Sequence, residues 1–270
     1  MKEYFDANRR RWDEAVGIHV KSKTGAYRLD DFRAGEDILL PIESAEVGDL
    51  AGKRVLHLQC HFGLDTLSLA RRGASVTGLD FSPKAIDAAR ALSRETGVPG
   101  TFVLGNVYDA PGLIDGQFDV VYTTWGTTVW LPDIARWAEI VAHFLKPGGY
   151  LYKLDGHPAA LTLEEDNDGK LTPTYPCSQS DTPLIFDDDT TYTGDPDKLE
   201  NTRTYEWIHS LSTIVNGLIG AELTLDFLNE HDRLAWKLFP CMQDASEYML
   251  KLPPGMPSFP LAYSLKASKP

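Results

Sequence analysis

Cysteine is scarce in this chain of 270 residues: Cys60, Cys177 and Cys241 are unevenly spaced and odd in number. No C-x-x-C pairing occurs, so neither a disulfide framework nor a zinc module is indicated, and a reduced, intracellular setting is the economical expectation. Cations are few as well, with 26 Lys and Arg against 39 Asp and Glu and a net charge of −13. Phosphate backbones call for clustered Lys and Arg, so nucleic acid is excluded as a partner and a small molecule is favoured. The acidity serves solubility equally well and says nothing of the fold. No run of about 18 apolar residues exists to span a membrane. The N-terminus, MKEYFDANRRRWDEA, lacks the apolar stretch of a secretory signal. The expected location is the cytoplasm, and the sequence leaves monomer and homodimer both open.

What is present supports a packed domain. Hydrophobic residues make up 43% and aromatics 10%, enough for one large α/β domain or a domain carrying a sizeable insertion. The stretch from Arg54 to Ala85, RVLHLQCHFGLDTLSLARRGASVTGLDFSPKA, is the most informative. It reads as a buried strand (Val55 to Leu58), a loop with Gly63, a helix around Leu67 to Arg71, and a second strand, Ser75 to Leu79, ending in Asp80. Such a unit offers a loop and helix N-terminus for an adenosine-type ligand and a carboxylate for ribose hydroxyls. The expected ligand is a nucleoside-containing cofactor.

Strand and helix signals alternate from 53 to about 155, with strands expected at 54–59, 75–80, 101–105, 118–123 and 149–154 and helices at 64–72, 83–96 and 132–145. This pattern calls for a mainly parallel sheet with helices on both faces. Ser82-Pro83 starts a helix, and Lys146-Pro147-Gly148-Gly149 stops one. Four regions follow: a helical arm or lid over 1–50 with a second helical run from Gly35 to Glu43, a ligand-binding core over 51–155, an insertion or cap over 156–205, and the rest of the core over 206–270. The insertion is rich in Pro, Asp, Thr and Gly and is expected to hold irregular strands, since a structureless loop that long is unusual. In the last region a helix is expected over Ser210 to Ala221, a strand over Thr224 to Asn229, and a final edge strand over Leu261 to Ala267. No internal repeat is found.

Five ordered segments resemble the class I S-adenosylmethionine-dependent methyltransferases: RVLHLQCHFG, GLDFSPKAI, GNVYD, FDVVYTTWGTTVWLPD and FLKPGGYLY. The LHLQCHFG loop, Trp12 with His19, Asp155 to Pro158 and Tyr205 to Ser210 further resemble a bacterial subgroup of small-molecule methyltransferases. The resemblance implies a Rossmann-like class I methyltransferase fold with a seven-stranded, mainly parallel sheet. It implies S-adenosyl-L-methionine as cofactor, S-adenosyl-L-homocysteine as product, and methyl transfer to an O, N, C or S atom of a small acceptor. The chain departs from the pattern where His57 replaces an acid and Gln59 and His61 replace glycines.

The resemblance places cofactor binding at Gln59, His61, Gly63, Asp80, Phe81, Ser82, Asn106, Val107 and Thr123, with Thr124 beside the sulfonium. Trp12, His19, Tyr27, Trp125 and His209 are candidates for the acceptor pocket, with Tyr122 and Trp130 as apolar walls or core. His157, just past the fifth strand, is the candidate general base, since an imidazole near its ordinary pKa can take a proton from an acceptor; it can equally satisfy a loop carbonyl. No metal site is indicated, because Cys60 and His61 are adjacent and no distant ligand is specified. The alternatives are a non-catalytic S-adenosylmethionine-binding sensor and an NAD(P)-dependent Rossmann oxidoreductase. The latter would need a G-x-G-x-x-G turn that the bulky Gln59 and His61 do not supply.

Overall fold

The computed structural model describes residues 1–178 and 181–270. Seven strands form its main sheet: β1 (Arg54–Leu58), β2 (Ser75–Asp80), β3 (Thr101–Leu104), β4 (Phe118–Thr124), β5 (Leu145–Gly156), β6 (Thr224–His231) and β7 (Ala262–Ser268). Their spatial order is β6-β7-β5-β4-β1-β2-β3, with β1 to β5 mutually parallel and β7 antiparallel to both neighbours. Order reverses at β1, which pairs with β2 on one side and β4 on the other. In open α/β sheets that switch point, at the carboxyl ends of the strands, is where ligands settle. This is the open, mainly parallel seven-stranded Rossmann-like architecture that the resemblance implies.

Helices cover both faces. They are α1 (Lys2–His19), α2 (Leu29–Ala34), α3 (Pro41–Glu46), α4 (Leu64–Arg71), α5 (Pro83–Thr96), α6 (Ile134–Phe144) and α7 (Leu211–Gly220). Helix α5 begins as its sequence dictates, with Ser82 Oγ accepting from the Ala85 N–H (3.1 Å) and Pro83 in the first turn, and it ends at Gly97 in the left-handed conformation. Helix α6 is capped by Asp133 and lays Trp137, Ile140, Val141 and Phe144 on the sheet. Strand β1 is buried on both faces, as a central parallel strand must be.

Two expectations are corrected. The run Gly35–Glu43 is not one helix. Gly35 closes α2 at φ 103°, and Leu40 is extended (φ −71°, ψ 159°), as the residue before Pro41 prefers, so α3 starts afresh. The final strand is not at an edge. It slots between β5 and β6, and Ala262, Tyr263, Ser264 and Leu265 are all buried. The true edge is β6, which carries Asp226 and Glu230, charges that discourage further pairing.

Within 156–205, where residues 179–180 lie outside the described residues, the described residues include the expected irregular strands. Leu163–Glu165 pairs with Leu171–Pro173, and Leu184–Asp187 with Arg203–Glu206. The second hairpin grips α1. Asn8 exchanges two hydrogen bonds with the Tyr205 backbone (both 2.8 Å), Arg11 donates to the Thr190 and Thr202 carbonyls, and Glu14 accepts from the Glu200 and Asn201 N–H groups. Arm and insertion thus form one roof. No helix among the described residues is long and apolar enough to cross a membrane.

Candidate active site

A cavity of about 680 Å³ opens over the carboxyl ends of β1, β2 and β4, under the roof made by α1 and the insertion. Asp80 stands at the tip of β2 and is almost wholly buried. Its Oδ2 accepts from the His61 N–H (2.8 Å) and its Oδ1 from the Ser82 N–H (2.9 Å). These bonds fix the carboxyl without neutralising it. Burial outweighs them and, with Asp13 nearby, raises its pKa to about 6. Asn106 and Val107 line the cavity after β3; Asn106 Oδ1 caps the Tyr108 N–H (3.0 Å), and no described partner takes the Asn106 amide N–H groups. Phe81 completes this end.

The loop after β1 shows why its missing glycines matter. Gln59 (φ 58°) and His61 (φ 49°) both adopt the left-handed conformation that glycine takes without strain. Trp125, past β4, does the same (φ 49°). All three line the cavity. Such strain, on the order of 1 kcal/mol per residue, concentrates at functional sites. The His61 ring does not fill the loop. It turns to the arm, where its Nε2 meets His19 Nδ1 at 2.9 Å and its edge packs on Trp12 (5.2 Å between centroids). Tyr27 hydrogen-bonds His19 (3.1 Å) and Tyr192 of the insertion. His61 therefore ties the loop to the roof.

Beyond β4 the loop 126–128 wraps a buried carboxylate. Asp155 accepts from the N–H groups of Gly126 (2.6 Å), Thr127 (3.2 Å) and Thr128 (3.0 Å), from the Thr128 hydroxyl (2.6 Å), and from Lys153 Nζ (3.0 Å). Burial alone would raise this acid; Lys153 and the Thr128 donors more than offset it and hold its pKa below the ordinary carboxylate value. Gln59 Nε2 donates to the Thr127 carbonyl (3.0 Å), while Gln59 Oε1 has no hydrogen-bond partner.

Sequence reading missed the carboxyls that face this region. Glu43, on α3, is buried, accepting from the Leu40 N–H (2.7 Å) and from the Tyr122 hydroxyl (2.8 Å). Asp65, at the start of α4, lines the same cavity. Burial, with Asp65 adding repulsion, raises Glu43 to about 8, and burial raises Asp65 to about 6. His57 lies beside them, its Nδ1 hydrogen-bonded to Thr66 (2.8 Å), and burial lowers it to about 3, so it is neutral and does not replace the charge of an acid. An acid at the third position of a helix reads as a helix-end residue, which hid Glu43.

Of the residues singled out in the sequence, Trp12, Tyr27, Gln59, His61, Asp80, Phe81, Asn106, Val107, Thr124, Trp125 and Trp130 line the cavity together. The others stand outside its lining. A Cβ on Gly63 would come within 2.5 Å of Phe102 Cε1, so that glycine serves helix–strand packing and its left-handed turn. Ser82 caps α5 and donates to Asp13 on α1; Thr123 contacts Thr127 beneath the loop (3.0 Å). Tyr122 is core, buried against Tyr152 and His57. His19 sits behind His61, and His209 is buried with its Nε2 on the Leu131 carbonyl. His157 accepts from the Ala159 N–H at Nδ1 (3.1 Å) and meets Glu230 through Nε2 (2.9 Å), so both nitrogens serve structure outside the cavity.

Residues 55–149 match the family model of a methyltransferase domain. That stretch carries a methyltransferase domain. A ubiquinone biosynthesis O-methyltransferase from Xanthomonas euvesicatoria pv. vesicatoria is 38% identical over 117 residues, 43% of this chain and 48% of that protein. The chain thus spans about half the length of the curated relatives it matches. Its structure is similar to an S-adenosylmethionine-dependent methyltransferase from Mesorhizobium loti (TM-score 0.57, 20% identity, 85% and 96% of the two chains). It is also similar to a glycopeptide N-methyltransferase solved with S-adenosylmethionine (TM-score 0.55, 15% identity, 91% and 94%). At those identities the likeness shows the fold alone. The geometry of the site fits an adenosyl cofactor: a buried Asp80 carboxyl held by two backbone N–H groups with no cation beside it, and an unpartnered Gln59 oxygen in the loop at the switch point.

Proposed function

We propose that this chain is a methyltransferase that uses S-adenosyl-L-methionine and acts on a small-molecule acceptor. The observation that carries the reading is the buried, unneutralised Asp80 carboxyl at the β2 tip, tied by hydrogen bonds to the strained loop at the switch point. When bound, the cofactor supplies an electrophilic methyl on a sulfonium whose departing thioether is neutral. Asp80 would accept hydrogen bonds from the ribose hydroxyls, and Asn106 and Val107 would face the base. Gln59 Oε1 would accept from a donor of the methionine portion. Trp12, Tyr27, His61 and Trp130 would keep water out, and with so good a leaving group orientation and water exclusion can carry much of the rate. The roof and the C-terminal wall, which line the rest of the cavity, would set the accepting atom.

Calorimetry with S-adenosylhomocysteine tests the reading. Binding by wild type and a loss of about tenfold or more in Asp80→Ala, as expected for a charge-assisted hydrogen bond, would support it. No binding by either protein, or binding of NAD alone, would overturn it. Binding without product formation on any acceptor would favour a sensor.

A further inference from the structure

The cavity extends well past what an adenosyl group needs. Its far wall is built by Trp236, Leu238, Tyr248 and Met249, from the excursion between β6 and β7, together with Trp125. Six carboxyls line the whole cavity (Glu43, Asp65, Asp80, Asp155, Glu206 and Asp244), against two cations, Arg28 and Lys237. Arg28 is already held by Asp31 (3.0 Å) and Glu36 (3.3 Å), and Lys237 is exposed. Asp155 is neutralised by Lys153. Glu43 has no such partner: its carboxyl takes only neutral donors, the Leu40 N–H, the Tyr122 hydroxyl and the Trp125 indole, and lines the cavity with Asp65. Nearby, the Thr124 hydroxyl (95% buried) lines the cavity without a hydrogen bond of normal geometry, as does the Gln59 Oε1, while the Trp125 indole N–H is directed at the Glu43 carboxyl. A buried polar group left unpaired costs about 1–3 kcal/mol, so a cluster of them marks a place a polar ligand completes.

Sheet order decides which ligand. Ribose and base belong over β2 and β3, where Asp80 and Asn106 stand, whereas Glu43 is bonded from Tyr122 on β4, on the other side of the switch point. We infer that Glu43, with Asp65, is the docking site for a basic nitrogen of the methyl acceptor, whose apolar body lies between Trp125, Trp236 and Tyr248. The substrate class is then an amine, amidine or guanidine carrying an aromatic or aliphatic group. A cation meets there two acids and the rings of Trp125 and Trp236, which attract it further, whereas the Tyr248 ring already carries the Arg28 guanidinium at 4.1 Å. Burial holds Glu43 and Asp65 protonated to unusually high pH in the empty site, and an ionised nitrogen would reverse that by sharing its charge. The methionine portion of the cofactor brings one ammonium, which could engage only one of the two acids. The inference rests on the methyltransferase reading.

The test uses the full chain saturated with S-adenosylhomocysteine and three matched probes: 2-phenylethylamine, 2-phenylethanol and 3-phenylpropionate. The amine is expected to bind tighter than the alcohol and the acid by about tenfold to a hundredfold, the range of a hydrogen bond to a charged group. That preference should vanish in Glu43→Gln and weaken in Asp65→Asn, with affinity for S-adenosylhomocysteine unchanged in Glu43→Gln. Either variant alone suffices should the other fail to fold, and the wild-type preference needs neither. Equal or weaker binding of the amine, absence of amine binding, or a preference that survives both substitutions overturns the proposal. So does a Glu43→Gln variant that loses S-adenosylhomocysteine but keeps 5′-methylthioadenosine, which lacks the ammonium; Glu43 would then belong to the cofactor. Failure of wild type to bind S-adenosylhomocysteine is a different result and strikes the methyltransferase reading itself.

Discussion

At the scale of single residues, the histidines separate local pattern from tertiary placement. His157 follows a strand whose carboxyl end borders the cavity, and its position suggests a base, yet its Nδ1 caps the turn Pro158–Leu161 and its Nε2 meets Glu230. Burial also lowers its pKa, with Glu230 opposing. His157→Ala should therefore cost about 1 kcal/mol through the lost cap and leave the rate of S-adenosylhomocysteine formation near wild type. Urea unfolding alongside product assays decides it: a collapsed rate in a fully stable variant would return His157 to catalysis. Asp80 was legible because a strand-end acid after a strand–helix unit has a fixed place in space. Glu43 was not, because PIESAE looks like an exposed helix start until β4 is packed against it and Tyr122 reaches its carboxyl. His61 stands between these cases. Its position in the loop was readable, but its contact with His19 joins residues 42 apart and needed the fold.

At the scale of elements, the sequence marked β1 to β5 to within a residue or two, except for the start of β5, because parallel strands buried on both faces are continuous apolar runs. The C-terminal strand was harder. An alternating run such as Leu261–Ala267 does not reveal whether it has one neighbour or two, and Lys266 looks solvent-facing until it is found over the Tyr150 ring at 4.4 Å. The loop after β4 shows the same dependence on packing. Its shape comes from Asp155, whose carboxylate gathers three backbone N–H groups, and from Lys153, which sits under it with the Trp137 ring 5.6 Å away. Removing one member of a buried pair strands the other, at a cost of about 3–5 kcal/mol. Asp155→Asn should destabilise by that order and weaken cofactor binding by loosening 126–128. Adding Lys153→Met should recover part of the stability, because no buried charge is then left alone. Additive losses in urea unfolding of the two single variants and the double variant would show that the pair is not coupled.

At the scale of the whole molecule, an acidic chain has placed several of its acids and histidines in one buried region, and their titration shapes the stability of the fold. Burial lowers His57 to about 3 and His19 and His209 to about 4. The unfolded chain binds those protons more readily, so their contribution to stability grows as pH rises from about 4 to about 6.5. Asp65 and Asp80, raised from 3.8 to about 6, act in the opposite sense, since the folded state keeps protons the unfolded chain has lost. Between pH 4 and 6.5 the two groups oppose each other. Glu43, raised from 4.5 to about 8, joins the two aspartates from about pH 4.5 upward, and above pH 6.5 its loss of stability with rising pH is no longer offset by the histidines of this set. The ligand-free protein should therefore be most stable near pH 6.5 and lose about 1–2 kcal/mol by pH 8, at up to about 1.4 kcal/mol per pH unit for one proton. Glu43→Gln removes the titrating carboxyl and should flatten that alkaline limb while steepening the gain in stability between about pH 4.5 and 6.5. Urea midpoints at pH 5, 6.5 and 8 on both proteins measure it, and an alkaline limb of equal depth in the two would mean that Glu43 is already ionised at neutral pH.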